Sequence, residues 1–185
     1  MSEPLFIPNR RTFLGALGIS LFSHAAEVAP ASPLPRDYLA RSYLQINDNE
    51  TGLRILRELV RDHPDYWTGN LILGISDYEL GNYAEAEQYL RRAIQTWQVD
   101  GAAHPDSRQY YYLGRTLMKL DRWQEAEAPL RQAAALRPDA VGYHGALAQV
   151  MRHQGREEEA KAEMAAEERN RKSLVEVERK FGLLR

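Results

Sequence analysis

Apolar residues along this chain recur three and four positions apart, the spacing that turns one face of an α-helix toward a core. The pattern breaks at intervals into short polar turns, and no strand is predicted anywhere. One leucine marks the period: Leu39, Leu73, Leu113 and Leu147 are separated by 34, 40 and 34 residues. The chain therefore repeats itself. One place after each marker stands a small residue, Ala40, Gly74, Gly114 and Ala148, and twelve places further on another, Gly52, Ala86, Ala126 and Ala160. Two antiparallel helices approach closely only where their facing side chains are small, so these columns predict helix pairs and their points of closest contact. A large apolar column falls at Leu56, Leu90, Leu130 and Met164. Asn47, Gly81, Asp121 and Gly155 occupy the reversals within each pair, and Pro64 and Pro138 end second helices. Pro129, inside one such helix, removes a backbone donor and predicts a local bend.

A 34-residue step is the period of the tetratricopeptide repeat, and residues 33–174 resemble four such repeats. Repeat three fits the family pattern at Tyr110, Leu113, Gly114, Leu117, Ala126, Leu130, Ala133 and Pro138. Repeat one departs from it at Arg36 and Leu59, repeat two at Asn70, Asp77 and Gln98, and repeat four at His144 and Glu167. The 40-residue step is the same unit with six residues inserted around Val99 to His104, which lengthens the connection between repeats two and three. The resemblance implies an all-α, right-handed superhelical solenoid with repeats at 33–66, 67–106, 107–140 and 141–174. Stability then comes from stacking, since no helix pair buries its apolar face alone.

In that family the first helix of each repeat lines a concave face, where partners lie as peptides or loops. Carried over position by position, the lining comprises Tyr38 and Arg41 from repeat one and Leu71, Ile75 and Tyr78 from repeat two. Repeat three supplies Arg108, Tyr111, Tyr112, Arg115 and Met118, and repeat four Gln149 and Arg152. An aromatic and aliphatic floor with guanidinium groups along it suits an extended segment with apolar anchors and acidic groups or a terminal carboxylate. Tyr111, Tyr112 and Arg115 form its densest part. The chaperone-binding subset of the family uses Lys and Asn at positions held here by Asp37, Arg41, Ile72, Arg108 and Tyr112, so that ligand is not expected.

Ahead of the repeats, Asn9-Arg10-Arg11-Thr12-Phe13-Leu14-Gly15 and the apolar run to Phe22 resemble a twin-arginine export signal. Asn9 and Gly15 depart from that pattern. The run is far short of the roughly 20 residues that span a bilayer, so residues 1–31 are expected to be a leader and linker, cleaved after Ala25 or Ala31. The expected location is periplasmic or otherwise extracytoplasmic in a bacterium, or cytoplasmic if Arg10-Arg11 is not used.

Composition removes several functions. A net charge of −2 without a basic stripe argues against nucleic acid, and the lack of cysteine excludes disulfides and thiolate chemistry. No two of His24, His63, His104, His144 and His153 stand four apart as helix-borne metal ligands would, and His144 falls in a packing column. No phosphate loop or nucleophile elbow is present, so neither catalysis nor a cofactor is expected. From Glu157 the chain turns strongly charged with helix-supporting pairs, and Leu174, Val177, Phe181 and Leu184 make an apolar stripe. That tail, ending at 175–185, is expected to cap the last repeat or to dock a partner or second copy, fraying after Gly182. The expected function is an exported scaffold that binds a protein or peptide and supports an envelope complex. The alternatives are a structural protein self-associating through the tail and a companion of a twin-arginine-exported enzyme.

Overall fold

A computed structural model describes residues 10–100 and 106–181, without the side chains of 10–14, 16 and 98–100. Among the described residues there are nine helices and no strand: α1 (Arg10–Val28), α2 (Pro33–Gln45), α3 (Asn49–Asp62), α4 (Trp67–Leu80), α5 (Tyr83–Asp100), α6 (Ser107–Lys119), α7 (Trp123–Leu136), α8 (Tyr143–His153) and α9 (Glu157–Lys180). Helices α2 and α3, α4 and α5, α6 and α7, and α8 and α9 fall in turn within the spans expected for the four repeats. Contacts divide the chain into two compact units, one ending at Leu73 and one beginning at Gly74, with the boundary inside α4.

In the first unit α2 packs on both α1 and α3. Gly15 and Gly18 make the first of these approaches possible, since a Cβ at either would collide with Ile46 or Ser42. Phe22 of α1 stacks on Tyr38 at 5.0 Å between ring centroids. Asp48 caps α3 by accepting from the Thr51 amide at 3.1 Å, and a Cβ at Gly52 would stand 2.8 Å from Leu44 Cδ2. Two of the departures from the repeat pattern, Arg36 and Asn70, are hydrogen-bonded substitutions, while Leu59 fills the core. Arg36 donates to Asp62 at 2.9 Å, and buried Asn70 donates to the carbonyls of Pro64 and Tyr66 at 2.9 and 3.0 Å.

In the second unit the layers follow chain order, α5 on α6, α6 on α7, α7 on α8 and α8 on α9. Leu90, Leu117, Leu130, Ala133, Leu147 and Met151 are inaccessible or nearly so. The backbone at Gly114 admits no side chain, because a Cβ there would stand 2.7 Å from Leu130 Cδ2 and 3.2 Å from the Ala126 carbonyl oxygen. All four predicted reversal residues are left-handed, Asn47 at φ 67°, Gly81 at 85°, Asp121 at 60° and Gly155 at 76°. Helix α7 continues through Pro129. Asp77, buried where the family pattern differs, accepts from Asn82 at 3.3 Å.

An ion ladder joins successive second helices. Arg122, preceding α7, donates to Glu87 of α5 and to Glu125, and Arg91 reaches Glu125 at 3.7 Å. One repeat later Arg156 donates to Glu127 and Glu159, and Arg131 lies 3.7 Å from Glu159. Arginine pairing holds Glu125, Glu127 and Glu159 below the ordinary carboxylate range.

Repeat four replaces two apolar positions with a polar brace. His144 bonds Glu163 at 2.6 Å and the Pro138 carbonyl at 3.1 Å, the satisfied histidine its column predicts. Glu167, 2 % exposed, accepts from the amides of Gly142 and Gly145 at the start of α8. Two expectations need correction. The inserted residues Val99 and Asp100 extend α5 instead of opening a loop, while 101–105, with His104, lie outside the described residues. Met164 is 38 % exposed although its column is otherwise buried, because α9 is the last described helix and nothing described packs on its outer side. The tail is helical to Lys180 as expected; Gly182 and Leu184 lie outside the described residues.

Candidate binding surface

Helix α6 begins at Asp106, whose carboxylate accepts from the Arg108 amide at 3.0 Å and so satisfies one free donor of the first turn. From that start a 3.6-residue period sends Leu113 and Leu117 into the core and leaves Tyr111, Tyr112 and Arg115 on the other side, all half-buried. Tyr111 stacks on Tyr143 of α8 with centroids 4.5 Å apart and planes 22° from parallel. It also meets Tyr112 edge-on at 5.4 Å. Tyr112 in turn meets Tyr78 edge-on at 5.4 Å, and Tyr78 contacts Tyr83 at 5.7 Å. Five tyrosines thus form one chain of rings across α4, α5, α6 and α8.

Arg115 lies within this chain. Its guanidinium carbon stands 5.2 Å from the Tyr78 ring centre and 5.6 Å from that of Tyr111, and it donates to the Tyr111 hydroxyl at 3.1 Å. These are cation–π contacts with two rings. Burial disfavours the Arg115 charge, but the Tyr111 hydroxyl and the neighbouring tyrosines more than offset that, leaving its pKa above the ordinary value. No carboxylate pairs with it among the described residues. Burial also raises the hydroxyl pKa values of Tyr78, Tyr112 and Tyr143, so all three are neutral donors at physiological pH. The surface therefore offers a delocalised cation held rigidly by aromatic faces, with phenolic hydroxyls around it. Chemically, such a cation among phenols is suited to a carboxylate flanked by apolar groups.

Beyond Tyr143 opens a cleft of about 660 Å³ lined by Asp106, Ser107, Arg108, Leu136, Arg137 and Val141, among others. The Tyr143 hydroxyl is fixed to Ser107 at 3.0 Å. Arg108 is occupied by Asp106, and Arg137 by Asp139.

Of the residues expected to line the groove, Tyr78, Tyr111, Tyr112 and Arg115 are brought together. Met118 is half-buried, and Gln149 and Arg152 are exposed on α8. Ile75, on α4 in the second unit, is half-buried. Tyr38, Arg41 and Leu71 belong to the first unit, where Arg41 is held by Asp37 at 3.0 Å. Leu71 is 1 % exposed and belongs to the core, which removes it from the lining, since a side chain without solvent access cannot meet a ligand. Tyr143 and Tyr83 were not foreseen. The signal for Tyr143 was an aromatic in the first turn of the helix that follows α6 in the same column of helices. Among the described residues no group of three or more His, Cys, Asp or Glu could hold a metal ion, and no helix is long and apolar enough to cross a membrane.

The chain belongs to the tetratricopeptide-repeat family, whose models match residues 37–66, 68–139 and 111–173. Solved structures similar to it include residues 41 to the end of MamA from Desulfovibrio magneticus RS-1, with 14 % identity, 86 % of each chain covered and a TM-score of 0.70. Another MamA crystal structure gives 15 % identity over 93 % of this chain and 99 % of that one, with a TM-score of 0.73. YrrB, described as a TPR protein with an unusual peptide-binding site, gives 19 % identity over 82 % and 75 %, with a TM-score of 0.73. At these identities the likeness is one of fold, an all-α tetratricopeptide solenoid, which serves as a scaffold for protein interaction. No curated protein matches the chain significantly.

Proposed function

We propose that this chain is a scaffold that holds a peptide or protein segment on the surface around Tyr78, Tyr111, Tyr112 and Arg115, with Arg108, Met118, Gln149 and Arg152 extending it. One observation carries the proposal: Arg115 contacts two tyrosine rings, is partly withdrawn from solvent, and has no carboxylate partner among the described residues. Arginines elsewhere in the second unit, such as Arg122, Arg131 and Arg156, are each paired with glutamate. A ligand carboxylate would complete the pair, and the exposed ring faces would take its apolar neighbours. The peptide-binding site named for YrrB supports the same use of the fold. The test is an array of acidic and neutral peptides, with free and amidated ends, probed with the full chain and with Arg115→Gln. Selective loss of the carboxylate-bearing peptides is expected. Equal binding by both chains, with unchanged helicity, would refute the reading.

We further propose that the protein works outside the bacterial cytoplasm as part of an envelope assembly. The support is the twin-arginine-like order of Arg10-Arg11, Phe13 and Leu14 before an apolar run. Helix α1, which carries that run, packs on α2, so cleavage after Ala25 would take Phe22 from Tyr38. The mass of the protein recovered from periplasmic and cytoplasmic fractions decides both points. An intact chain confined to the cytoplasm would overturn export.

A further inference from the structure

The last two turns of α9 and Phe181, the residue that ends it, present Leu174, Val177 and the phenyl ring at helical spacing, 45 %, 46 % and 71 % exposed. Beside them the loop before α8 forms a notch of about 340 Å³ with the helix, lined by Arg137, Asp139, Asn170, Ser173, Leu174 and Val177, among others. The notch and the protruding phenyl ring belong to the same helix face, one two turns ahead of the other. A surface that carries both a knob and its socket, side by side along one axis, is self-complementary under a two-fold rotation.

We propose that this face pairs antiparallel with the same face of a second copy of the chain, each Phe181 seating in the other copy's notch. The spacing fixes the register. Asn170, Leu174, Val177 and Phe181 follow the alternating four- and three-residue steps of a coiled-coil seam. Running two such helices in opposite directions about a centre between Val175 and Glu176 sets Leu174 against Val177 of the second copy and Phe181 against Asn170. One flank then matches in charge, Arg171 facing Glu178, and on the other Lys180 comes to Ser173, near the Asp139 carboxylate that Arg137 also holds. Glu178 and Lys180 have no ion-pair partner among the described residues, and Arg171, 61 % exposed, touches Glu167 at only 3.4 Å. Parallel pairing would instead leave each notch facing a Leu174 or Val177 and the phenyl rings stacked on each other in solvent. Asn170, whose amide donates to the Pro138 carbonyl at 2.7 Å, keeps the notch floor in place. The pairing is separate from the Arg115 surface and does not depend on it.

The chain contains no cysteine, so introduced thiols report the register cleanly. Full-length Ser173→Cys and Lys180→Cys chains, mixed and treated with a short bismaleimide, should link to each other faster than either links to itself. Sedimentation equilibrium of the unmodified chain should show dimers, and Phe181→Asp should weaken them by roughly a hundredfold, since each dimer contains that contact twice. Far-UV circular dichroism of Phe181→Asp should be unchanged, as the ring is mostly in solvent in the single chain. Three results would overturn the proposal: a monomer at every soluble concentration, same-variant linking as fast as mixed linking, or a dimer that survives Phe181→Asp.

Discussion

Removing the Glu167 carboxylate should loosen the last repeat by an amount the local geometry sets. Helix α8 starts at Gly142, a left-handed residue at φ 96° with no side chain to cap the first turn. A carboxylate from α9 does that work: both Glu167 oxygens lie 2.9 Å from the Gly142 nitrogen, and Oε2 lies 3.2 Å from that of Gly145. Leaving a buried donor unpaired costs about 1–3 kcal/mol, and an anion at a helix amino terminus contributes ~0.3–1 kcal/mol, more where buried. With two donors orphaned, Glu167→Ala should cost about 3–4 kcal/mol, a large part of the roughly 5–15 kcal/mol of a folded domain. Glu167→Gln keeps one carbonyl acceptor but turns an amide N–H toward a backbone N–H, so about half that loss is expected. Arg171 adds little, being 3.4 Å away and largely solvated. Urea unfolding followed by circular dichroism gives the totals, and amide exchange locates them. Exchange at Gly142 and Gly145 should accelerate in Glu167→Gln while amides of α5 keep their protection. A Glu167→Ala variant within about 0.5 kcal/mol of the parent, beyond the error usual for surface changes, would refute the capping argument.

Gly114→Ala forces a Cβ to 2.7 Å from Leu130 and 3.2 Å from a backbone carbonyl, and should cost about 1–3 kcal/mol; Gly81→Ala meets nothing within 4 Å and should cost about 1 kcal/mol through its φ of 85° alone. Urea midpoints in the opposite order would mean that close approach does not fix the small-residue column. The ion ladder predicts acid sensitivity. Glu125, Glu127 and Glu159 have folded pKa values below the ordinary 4.5, so the unfolded chain binds more protons and their contribution, full above 4.5, is lost as pH falls through the depressed values. Thermal melts taken down through that range should fall less steeply for Glu127→Gln and in high salt, and identical slopes would count against the ladder. In the first unit, Tyr66 titrates above its ordinary value because of burial first and of Asp37, which accepts its hydroxyl at 3.0 Å, second. Asp37→Asn should therefore let Tyr66 ionise at lower pH in an alkaline absorbance titration, though still above its ordinary value; no movement would exclude the Asp37 contact.

Backbone geometry was the most legible part of this chain, because steric demands leave few residue choices. A reversal needing positive φ accepts Asn, Asp or Gly, and Asn47, Gly81, Asp121 and Gly155 all occupy one. Close helix approach needs glycine or alanine, hence the columns through Gly114 and Ala126. Polar replacements were legible as departures but not as solutions. His144 and Glu167 looked like flaws in repeat four, yet each found its partners on another helix, Glu163 for one and the Gly142 and Gly145 amides for the other. Partners separated by 19 to 25 residues meet only once the two helices of the repeat are packed together, which the spacing along either helix does not encode.

The candidate surface was half legible for a related reason. Repeat position alone brought out Tyr111, Tyr112 and Arg115, since residues one helical turn apart share a face whatever surrounds them. Position could not tell that Arg115 would contact both Tyr78 and Tyr111, nor that Tyr143 would back the pair, because those contacts depend on where neighbouring repeats place their first helices. Gly142 links the two levels. Its missing side chain lets the chain turn left-handed into α8, and a Cβ there would stand 3.1 Å from the Tyr111 hydroxyl that accepts from Arg115. A substitution at Gly142 would thus disturb the cap on α8 and the orientation of Arg115 together. The stability of the last repeat and the geometry of the candidate site are set at the same residue, so a ligand that grips Arg115 should also protect the Gly142 amide from exchange.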